Sequence, residues 1–319
     1  MRKYFFLVIL FPLVCFADVE KTEITVVLDW YPNTNHTGLY VAKELGFYQE
    51  LGLDVSIRQF SAGGSPDLVA LGKAAFGISY QEQVIYATSG KTKLDILAIA
   101  AILRENTSGF VSLAHKNITS PKDFEGKKYG GWGSPMEKAV VASLMNKVGA
   151  DTEKITFLNI GTTNIFEASA SGIDFTWVFF GWDGIEAKLA HQPINFILLQ
   201  DVVPQLNSYT PLIITSQKLA TENSKLVKRF VQATKRGYIF AINNPQEAAE
   251  ILLKYAPELK RELVFASQKY LSEFYAHTSD SWGEMEHKVW ENYKKWMEQQ
   301  GLIKEGFDVS KTFTNRFLD

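Results

Sequence analysis

A short stretch near the start of the chain combines residues that can hold a small, flat, polar molecule. Residues 29–40 read Asp-Trp-Tyr-Pro-Asn-Thr-Asn-His-Thr-Gly-Leu-Tyr. The rings offer faces for stacking, the amides offer paired donors and acceptors, and the start of the following helix offers free N–H groups. Burying so many polar side chains in a core without hydrogen-bond partners would be unfavourable. This disfavours the alternative interpretation, in which the segment is only a turn at the edge of the core. The ligand-binding residues predicted in this loop are Asp29, Trp30, Asn33, Asn35, His36 and Tyr40.

The segments on either side of this loop predict its place in the fold. Residues 24–28 form a short apolar run that is typical of a strand, and residues 39–45 follow a helical pattern. The loop therefore lies at the carboxyl end of a strand, where open α/β sheets bind ligands. Further along, short apolar runs alternate with amphipathic segments, which predicts βα units and a mainly parallel sheet.

Two later segments, far apart in the chain, share one sequence pattern. The strand predicted over 75–79 is followed by Tyr-Gln-Glu at 80–82, and the segment 172–183 ends in Phe-Gly-Trp-Asp. In both, a strand entered through phenylalanine is left through an aromatic residue and an acid. This similarity suggests two lobes of related design whose strand ends face each other. The ligand-binding residues predicted here are Tyr80, Glu82, Trp182 and Asp183.

A glycine-rich turn supplies a further set of candidates. Residues 129–137 read Tyr-Gly-Gly-Trp-Gly-Ser-Pro-Met-Glu, in which Ser134 and Glu137 form a capping box and proline occupies the first helical turn. The glycines let the backbone approach a ligand, and the free N–H groups favour an acceptor or an anion. The alternative, a tight strand-to-helix turn that binds no ligand, explains the glycines but does not explain the tryptophan at position 132. The residues predicted to bind here are Trp132, Gly133 and Ser134.

The last third of the chain is predicted to be mainly helical after one more strand. Tyr209 precedes that strand, which is predicted over 212–215, and completes the set of predicted binding residues. On the final long helix, Trp290, Tyr293 and Trp296 recur at three-residue spacing and form an apolar stripe. We expect this stripe to pack in the core.

Composition restricts the class of protein. The 319 residues suggest about two domains, and 46% hydrophobic with 21% charged residues is ordinary for a globular chain. Without Arg2 and Lys3, which belong to the leader described next, 31 basic and 35 acidic residues remain. Nothing in this balance suggests binding to nucleic acid.

The first 17 residues have the pattern of a secretory signal. Arg2 and Lys3 precede an apolar run over 4–14, and Cys-Phe-Ala ends the segment at residue 17. Cleavage after Ala17 is expected; lipidation at Cys15 is the alternative, although small residues do not precede this cysteine. The cleaved chain would contain no cysteine, which excludes disulfides, thiolate chemistry and cysteine-ligated metals.

Several of these motifs together resemble the substrate-binding proteins of ABC importers. Within that family they are most similar to the thiamin-precursor branch (ThiY-type), which is related to the eukaryotic thiamin-pyrimidine synthases. The matching segments are residues 29–40, Gly-Phe-Tyr at 46–48, Gly-Leu-Asp at 52–54, and residues 80–82, 130–135 and 180–183.

The resemblance implies an α/β, two-lobed periplasmic-binding-protein fold (type II) with the ligand clamped in a cleft between the lobes. One lobe would comprise residues 22–107 plus 205–319, and the other residues 108–204. The resemblance further implies a periplasmic monomer that delivers its ligand to an ABC permease in the inner membrane. It implies no catalytic residue, no metal and no cofactor.

The ligand implied by the resemblance is an aminopyrimidine, such as the formylated aminomethyl pyrimidine salvaged from degraded thiamin. Glu82 or Asp183 would accept from the exocyclic amine, and Asn33 and Asn35 would serve the remaining edge of the ring. The aromatic faces would come from Trp30, Tyr40, Tyr80, Trp132 and Trp182.

Three alternatives stay open. Two keep the fold and change the ligand, to riboflavin or another flat heterocycle, or to a small anion such as a sulfonate. The third is a thiamin-pyrimidine synthase that requires pyridoxal phosphate and iron. That reading is weakened because Ser79 and Gln83 stand where the synthases carry a lysine and a histidine, and because their cysteine-rich motif is missing.

Overall fold

Two five-stranded sheets form the framework of the protein. The computed structural model describes residues 21–59, 64–161, 163 and 165–319, so the predicted signal sequence, 1–17, lies outside the described residues. The strands are β1 (Thr22–Val27), β2 (Leu53–Arg58), β3 (Phe76–Ser79), β4 (Leu97–Ala101), β5 (Ser108–Leu113), β6 (Lys128–Gly131), β7 (Thr156–Asn159), β8 (Phe175–Phe179), β9 (Ile194–Leu198) and β10 (Leu212–Thr215).

Helices follow most of the strands, and a run of helices closes the chain. A turn of π-helix, Phe180–Gly184, directly follows β8. The α-helices are α1 (Thr37–Glu44), α2 (Phe47–Glu50), α3 (Gly64–Ala70), α4 (Gln81–Ser89), α5 (Pro135–Lys147), α6 (Ile165–Ala170), α7 (Ile185–Leu189), α8 (Leu199–Val202), α9 (Gln217–Glu222), α10 (Ser224–Asn243), α11 (Pro245–Tyr255), α12 (Arg261–Leu271) and α13 (His287–Gln299).

The two sheets repeat one topology. Their strand orders are β2-β1-β3-β10-β4 and β7-β6-β8-β5-β9. The first three strands of each sheet are parallel, whereas β10 and β5 run antiparallel to both of their neighbours. The chain crosses between the sheets after β4 and again after β9. The predictions of βα units and of two related halves are confirmed. Each sheet is mixed: four of its five strands run in one direction, as predicted for a mainly parallel sheet, but half of the strand pairs are antiparallel because β10 and β5 each lie between two neighbours of opposite direction. The lobe limits given above stay a prediction.

Three adjacent strands of the first sheet, one of them the edge strand β4, are buried on both faces. Every residue of β3, β4 and β10 is buried, which is why these strands read as continuous apolar runs rather than as alternating patterns. By contrast, β2 lies at the other edge and exposes Asp54 and Arg58.

A close contact between α1 and α10 supports the predicted binding loop. A Cβ added to Gly237 would lie 2.0 Å from the carbonyl oxygen of Gly38, so the two helices touch through their backbones. The neighbouring Tyr238 stacks on Trp282, with ring centroids 4.6 Å apart, and its hydroxyl donates to the carbonyl oxygen of Asn35 at 2.7 Å. The core of the first sheet therefore fixes the backbone of the loop.

Helix α13 packs between α4 of the first sheet and α5 of the second. Trp290, Tyr293 and Trp296 are all buried, which confirms the expected core stripe. The indole N–H of Trp296 donates to the hydroxyl of Ser143 on α5 at 2.9 Å. The side chain of Gln81 on α4 donates to a backbone carbonyl of α13. One continuous apolar cluster thus includes residues of both sheets.

The contact between α1 and α10 predicts the effect of a single added methyl group. Gly237→Ala should destabilise the protein by roughly 1–3 kcal/mol, because the new Cβ must push the two helix backbones apart. The matched control is Gly90→Ala, where the backbone φ is −68° and the nearest atom lies 3.6 Å away. Urea denaturation of both variants measures the difference, and equal midpoints would contradict the packing described here.

Candidate functional site

A cavity of about 740 Å³ lies where the carboxyl ends of strands from both sheets meet. This volume falls within the range usual for small-molecule sites. The cavity is lined by residues of the loop after β1, of the segment after β3, of the turn after β6 and of the π-helical turn after β8. Nine of the predicted binding residues line it: Asp29, Trp30, Asn33, Asn35, Tyr80, Glu82, Trp132, Trp182 and Asp183.

Large aromatic side chains are exposed at this cavity. The exposed fractions are 41% for Trp30, 56% for Tyr31 and 48% for Trp132. The ring of Trp132 lies 5.5 Å, between centroids, from that of Trp177, so the second sheet presents a pair of indoles. Exposed rings grouped around a concave surface are typical of sites for apolar, planar ligands.

His36 fixes the geometry of the loop after β1. Its ring is fully buried; Nδ1 accepts a hydrogen bond from the backbone N–H of Asn33 at 3.2 Å, and Nε2 lies 2.7 Å from Oδ1 of Asp29. Because Nδ1 is an acceptor, the ring proton sits on Nε2 and is donated to the carboxylate. The side chain of Asn33 in turn accepts from the N–H of Asn35 at 2.9 Å. His36 therefore positions Asp29 and does not itself line the cavity.

Tyr80 is the second group that holds Asp29. Burial raises the pKa of Tyr80 well above its ordinary value, and a hydrogen bond to Asp29 with the neighbouring carboxylate charges raises it further. The phenol therefore stays protonated and donates to the carboxylate. Asp29 thus accepts from two fixed donors on two different segments of the first sheet.

The buried carboxylate of Glu137 organises the glycine-rich turn on the opposite side. It accepts from the hydroxyl of Tyr129 at 2.7 Å, from the N–H of Trp132 at 3.0 Å and from the N–H of Ser134 at 2.7 Å. The predicted capping box is present, since the side chain of Ser134 also accepts from the N–H of Glu137. A Cβ at Gly131 would lie 1.8 Å from the Glu137 carboxylate, so this position requires glycine.

Glu82 has a different environment. It lies in the first turn of α4, and its Oε2 accepts from the hydroxyl of Tyr293 at 3.2 Å. Burial raises the pKa of Glu82 from 4.5 to about 7, the hydrogen bond from Tyr293 opposes the rise, and the charge of Glu137 adds to it. Near neutral pH this side chain can therefore either donate or accept a hydrogen bond.

The π-helical turn after β8 brings Trp182 and Asp183 to the cavity. Burial raises the pKa of Asp183 to about 6, although backbone N–H groups partly compensate. The turn packs tightly on α12, because a Cβ at Gly181 would lie 2.6 Å from Leu271, and the hydroxyl of Ser267 donates to the carbonyl oxygen of Gly181. The second sheet thus contacts the first across the cleft. Local π-helix is often found at functional sites.

Five predicted residues are not among those that line the cavity. Tyr40 is buried in the core and contacts Tyr255, with ring centroids 5.2 Å apart. Tyr209 is buried, and its hydroxyl accepts from the backbone N–H of Glu286. The others are His36, which orients Asp29, and Gly133 and Ser134, which shape the turn that carries Trp132.

The structure adds lining residues that the sequence analysis did not single out. Tyr293 was assigned to the core stripe, yet its hydroxyl reaches Glu82; a tyrosine within a stripe of tryptophans was the available signal, because a buried phenol needs a partner. Trp177 lies in β8, just ahead of a matched motif. The strands and crossings also contribute small polar residues: Asn106, Thr107, Ser108, Thr176, Ser208 and Thr210.

The charges at the cavity are all negative. Among the described lining residues are four carboxylates and no lysine, arginine or histidine. One of the four, Glu186, is paired with Lys260, at 2.7 Å between Oε1 and Nζ. The three other carboxylates belong to Asp29, Glu82 and Asp183.

The described residues include neither a metal site nor a membrane-spanning helix. No group of three or more histidine, cysteine, aspartate or glutamate side chains is arranged to hold a metal ion there. The described helices include none with the length and apolar character that crossing a membrane requires.

The chain is similar to known proteins over most of its length. The model of the family described as NMT1/THI5 like matches residues 33–248. The chain is 27% identical over 308 residues to the formylaminopyrimidine-binding protein of Halalkalibacterium halodurans, covering 94% of this chain and 92% of that protein. It is also 27% identical over 303 residues to the 4-amino-5-hydroxymethyl-2-methylpyrimidine phosphate synthase of Legionella pneumophila, covering 93% of each.

A solved structure shows the same fold. The alkanesulfonate-binding protein SsuA from Xanthomonas axonopodis pv. citri, bound to MOPS, superposes with a TM-score of 0.68 at 13% identity, covering 92% of this chain and 99% of that one. At this identity the likeness concerns the fold alone. The two-lobed periplasmic-binding-protein fold predicted from the sequence is confirmed.

The raised pKa of Glu82 predicts how stability depends on pH. In the unfolded chain Glu82 ionises near 4.5, whereas in the folded protein it retains its proton to about pH 7. Between these values the folded state binds more protons, so its stability falls as pH rises. Relative to Glu82→Gln, the wild type should lose unfolding free energy across this window, by at most about 1.4 kcal/mol for each unit of pKa shift.

Urea denaturation of both proteins at several pH values from 2.5 to 9 measures this difference. Glu44→Gln is the control of opposite sign, because hydrogen bonds from Lys254 and Tyr255 lower the pKa of Glu44. The contribution of Glu44 is present above its unfolded pKa and is lost at acid pH. A wild-type minus Glu82→Gln difference that does not change with pH would contradict the environment described for Glu82.

Proposed function

Because the chain belongs to the NMT1/THI5 like family, we propose that it is the extracytoplasmic substrate-binding component of an ABC importer for a thiamin pyrimidine precursor. The candidate ligands are N-formyl-4-amino-5-aminomethyl-2-methylpyrimidine and hydroxymethylpyrimidine. The relative from Halalkalibacterium halodurans is named for binding formylaminopyrimidine, which supports this class of ligand.

The observation that carries the proposal is the lining of the cavity: exposed indole and phenol rings are combined with carboxylates, and no basic side chain is found among the described lining residues. A flat ring stacks on aromatic faces. An exocyclic amine donates to a carboxylate, and this relieves the desolvation of that carboxylate in the cleft. Trp30 and Trp132 supply exposed rings from the two sides, and Glu82 and Asp183 supply acceptors.

The same lining disfavours an anionic ligand such as a sulfonate. Desolvating a sulfonate requires cationic or N–H donors, and the described residues at this cavity include no lysine or arginine. Arg104, which follows β4 near the crossing between the sheets, pairs with Glu105 at 3.0 Å and does not line the cavity. Riboflavin and other larger flat heterocycles remain the alternative, since a cavity of about 740 Å³ does not exclude them by size.

An enzymatic role has support from several relatives, because the one from Legionella pneumophila and others from Saccharomyces cerevisiae are named as phosphate synthases. The residues present do not fit pyridoxal phosphate. A Schiff base requires a lysine, and a phosphate group favours cations; the described lining provides neither. At the position expected for the lysine, Ser79 is fully buried and donates to Gln83 at 2.9 Å. We therefore propose a binding protein and not an enzyme.

The partner and the location follow from the same proposal. The predicted signal sequence would export the chain to the periplasm, where a monomer would deliver its ligand to an ABC permease in the inner membrane. No pyrimidine chemistry on the protein is required, because the binding protein releases the ligand unchanged.

The first test is a thermal-shift screen on the chain without residues 1–17. A pyrimidine ligand at about 100 times its dissociation constant should stabilise the wild type by roughly 2.7 kcal/mol. Trp30→Ala removes one stacking face and Glu82→Ala removes one acceptor, so the stabilisation should fall strongly in both variants. The control is Leu71→Ala, which truncates a side chain that is 68% exposed and does not line the cavity.

The ligand panel discriminates among the alternatives. Formylaminopyrimidine, hydroxymethylpyrimidine, riboflavin and taurine are compared, and a pyrimidine-specific shift is expected. A thermal shift with riboflavin alone would indicate that the ligand is a larger heterocycle. A thermal shift with taurine alone would contradict the proposed ligand class.

A further inference from the structure

The π-helical turn after β8 docks on helix α12, whose buried residues belong to the core of the first sheet. Val264 and Leu271 of this helix lie in the same apolar cluster as residues of β1 and β3. From the turn, Trp182 packs against that cluster, and the ring of Phe180 lies 5.4 Å, between centroids, from that of Tyr270. A turn carried by the second sheet is therefore seated on the core of the first.

One buried hydroxyl within this contact links three segments of the chain. Ser267, on α12, is fully buried. Its hydroxyl donates to the carbonyl oxygen of Gly181 in the turn, and the same oxygen lies 2.6 Å from the hydroxyl oxygen of Thr34. Because a serine hydroxyl carries a single proton, and this one is donated to Gly181, Thr34 must donate to Ser267. The hydrogen bonds therefore run from Thr34 through Ser267 to Gly181.

Both ends of this chain of hydrogen bonds border the cavity. Thr34 lies between the two asparagines of the loop after β1, which line the cavity, and its carbonyl oxygen accepts from the hydroxyl of Tyr275. At the other end, Gly181 directly precedes Trp182, which lines the cavity from the second sheet. Ser267 itself is not among the lining residues. Its hydroxyl therefore sets the spacing between two halves of the site without belonging to either.

The hydroxyl of Ser267 is needed only while the turn is docked. Gly181 is buried in the contact, so its carbonyl oxygen would lack a donor there without Ser267, whereas water satisfies it once the turn leaves α12. A second polar contact joins the same elements, since Lys260 pairs with Glu186 at 2.7 Å. The side chain of Lys260 is 74% exposed, and such exposed ion pairs contribute little.

We propose that Ser267 is a positioning residue for ligand binding: its hydroxyl holds the π-helical turn against α12 and thereby stabilises the cleft around a bound pyrimidine. This inference rests on the proposed function, since it assigns a group that controls how long the ligand stays in that cleft. A ligand that contacts both sheets binds the docked arrangement. Any loss of docking therefore lowers its affinity, by up to the same factor.

Ser267→Ala tests this, because it removes the hydroxyl and adds no bulk. The ligand should dissociate about tenfold faster, since the carbonyl of Gly181 lacks a donor only in the docked arrangement. The association rate should change by less than about twofold, because interface changes act mainly on dissociation. Stopped-flow tryptophan emission measures both rates on the chain without residues 1–17, with N-formyl-4-amino-5-aminomethyl-2-methylpyrimidine as the ligand. Partial misfolding would lower the amplitude and leave the dissociation rate unchanged.

Ser272→Ala is the matched control. This serine caps the same helix, and its hydroxyl donates to the carbonyl oxygen of Lys269 within α12. The same atom is removed, but the described hydrogen bond does not reach the second sheet. Both rates should stay close to those of the wild type. A dissociation rate that is equal in the wild type, Ser267→Ala and Ser272→Ala would overturn the inference and leave pyrimidine binding intact.

Gly181→Ala tests the same contact from the other side, and carries the test if Ser267→Ala does not fold. A Cβ at this position would have Leu271 as its nearest neighbour, at 2.6 Å, and Gly181 is not among the glycines with positive φ. The methyl group therefore conflicts with docking rather than with the local backbone. Dissociation should be at least as fast as in Ser267→Ala, and an unchanged rate would overturn the inference.

Small-angle X-ray scattering without ligand separates this inference from the proposed function. The radius of gyration should be larger for Gly181→Ala and Ser267→Ala than for Ser272→Ala, because the sheets move apart when the turn leaves α12. A wild type that binds no pyrimidine would overturn the proposed function. The scattering comparison would then still decide the docking role, and equal radii in all three variants would overturn it.

Discussion

A carboxylate placed beside aromatic rings, away from any cation, must be compensated by hydrogen-bond donors, and this requirement shapes the whole cleft. His36 is buried to hold Asp29, and Tyr80 approaches the same carboxylate from the neighbouring strand. On the other side, the glycine-rich turn wraps around Glu137 and thereby presents Trp132. The carboxylates of Asp29 and Glu137 accept hydrogen bonds from fixed donors, and these hydrogen bonds position the rings on which a ligand can stack.

The repeated topology explains why two short motifs converge. Strands β3 and β8 occupy equivalent positions in sheets of the same order, so the residues that follow them, at 80–82 and 180–183, arrive at one cavity from opposite sides. The shared sequence pattern predicted this, because an apolar strand that is followed by an aromatic residue and an acid places both at its carboxyl end. The fold class and nine of the residues that line the cavity could likewise be predicted from the sequence.

The remaining residues depend on contacts that local pattern does not encode. Helical periodicity placed Tyr293 correctly in the core, but only the packing of α13 between α4 and α5 brings its hydroxyl to Glu82. Tyr40 is the last residue of the motif at 29–40, and yet its side chain packs in the core beside Tyr255. Likewise, the need for glycine at 181 arises from Leu271, which is distant in sequence. Long-range packing decides which side of an element faces the cavity.

The most direct measurement of the central claim is a fluorescence titration of the chain without residues 1–17, since Trp30, Trp132 and Trp182 line the cavity. The account predicts a saturable change in tryptophan emission with an aminopyrimidine and none with taurine, because the described lining residues offer rings and carboxylates and include no lysine or arginine. A saturable response to taurine, with none to any pyrimidine, would contradict it.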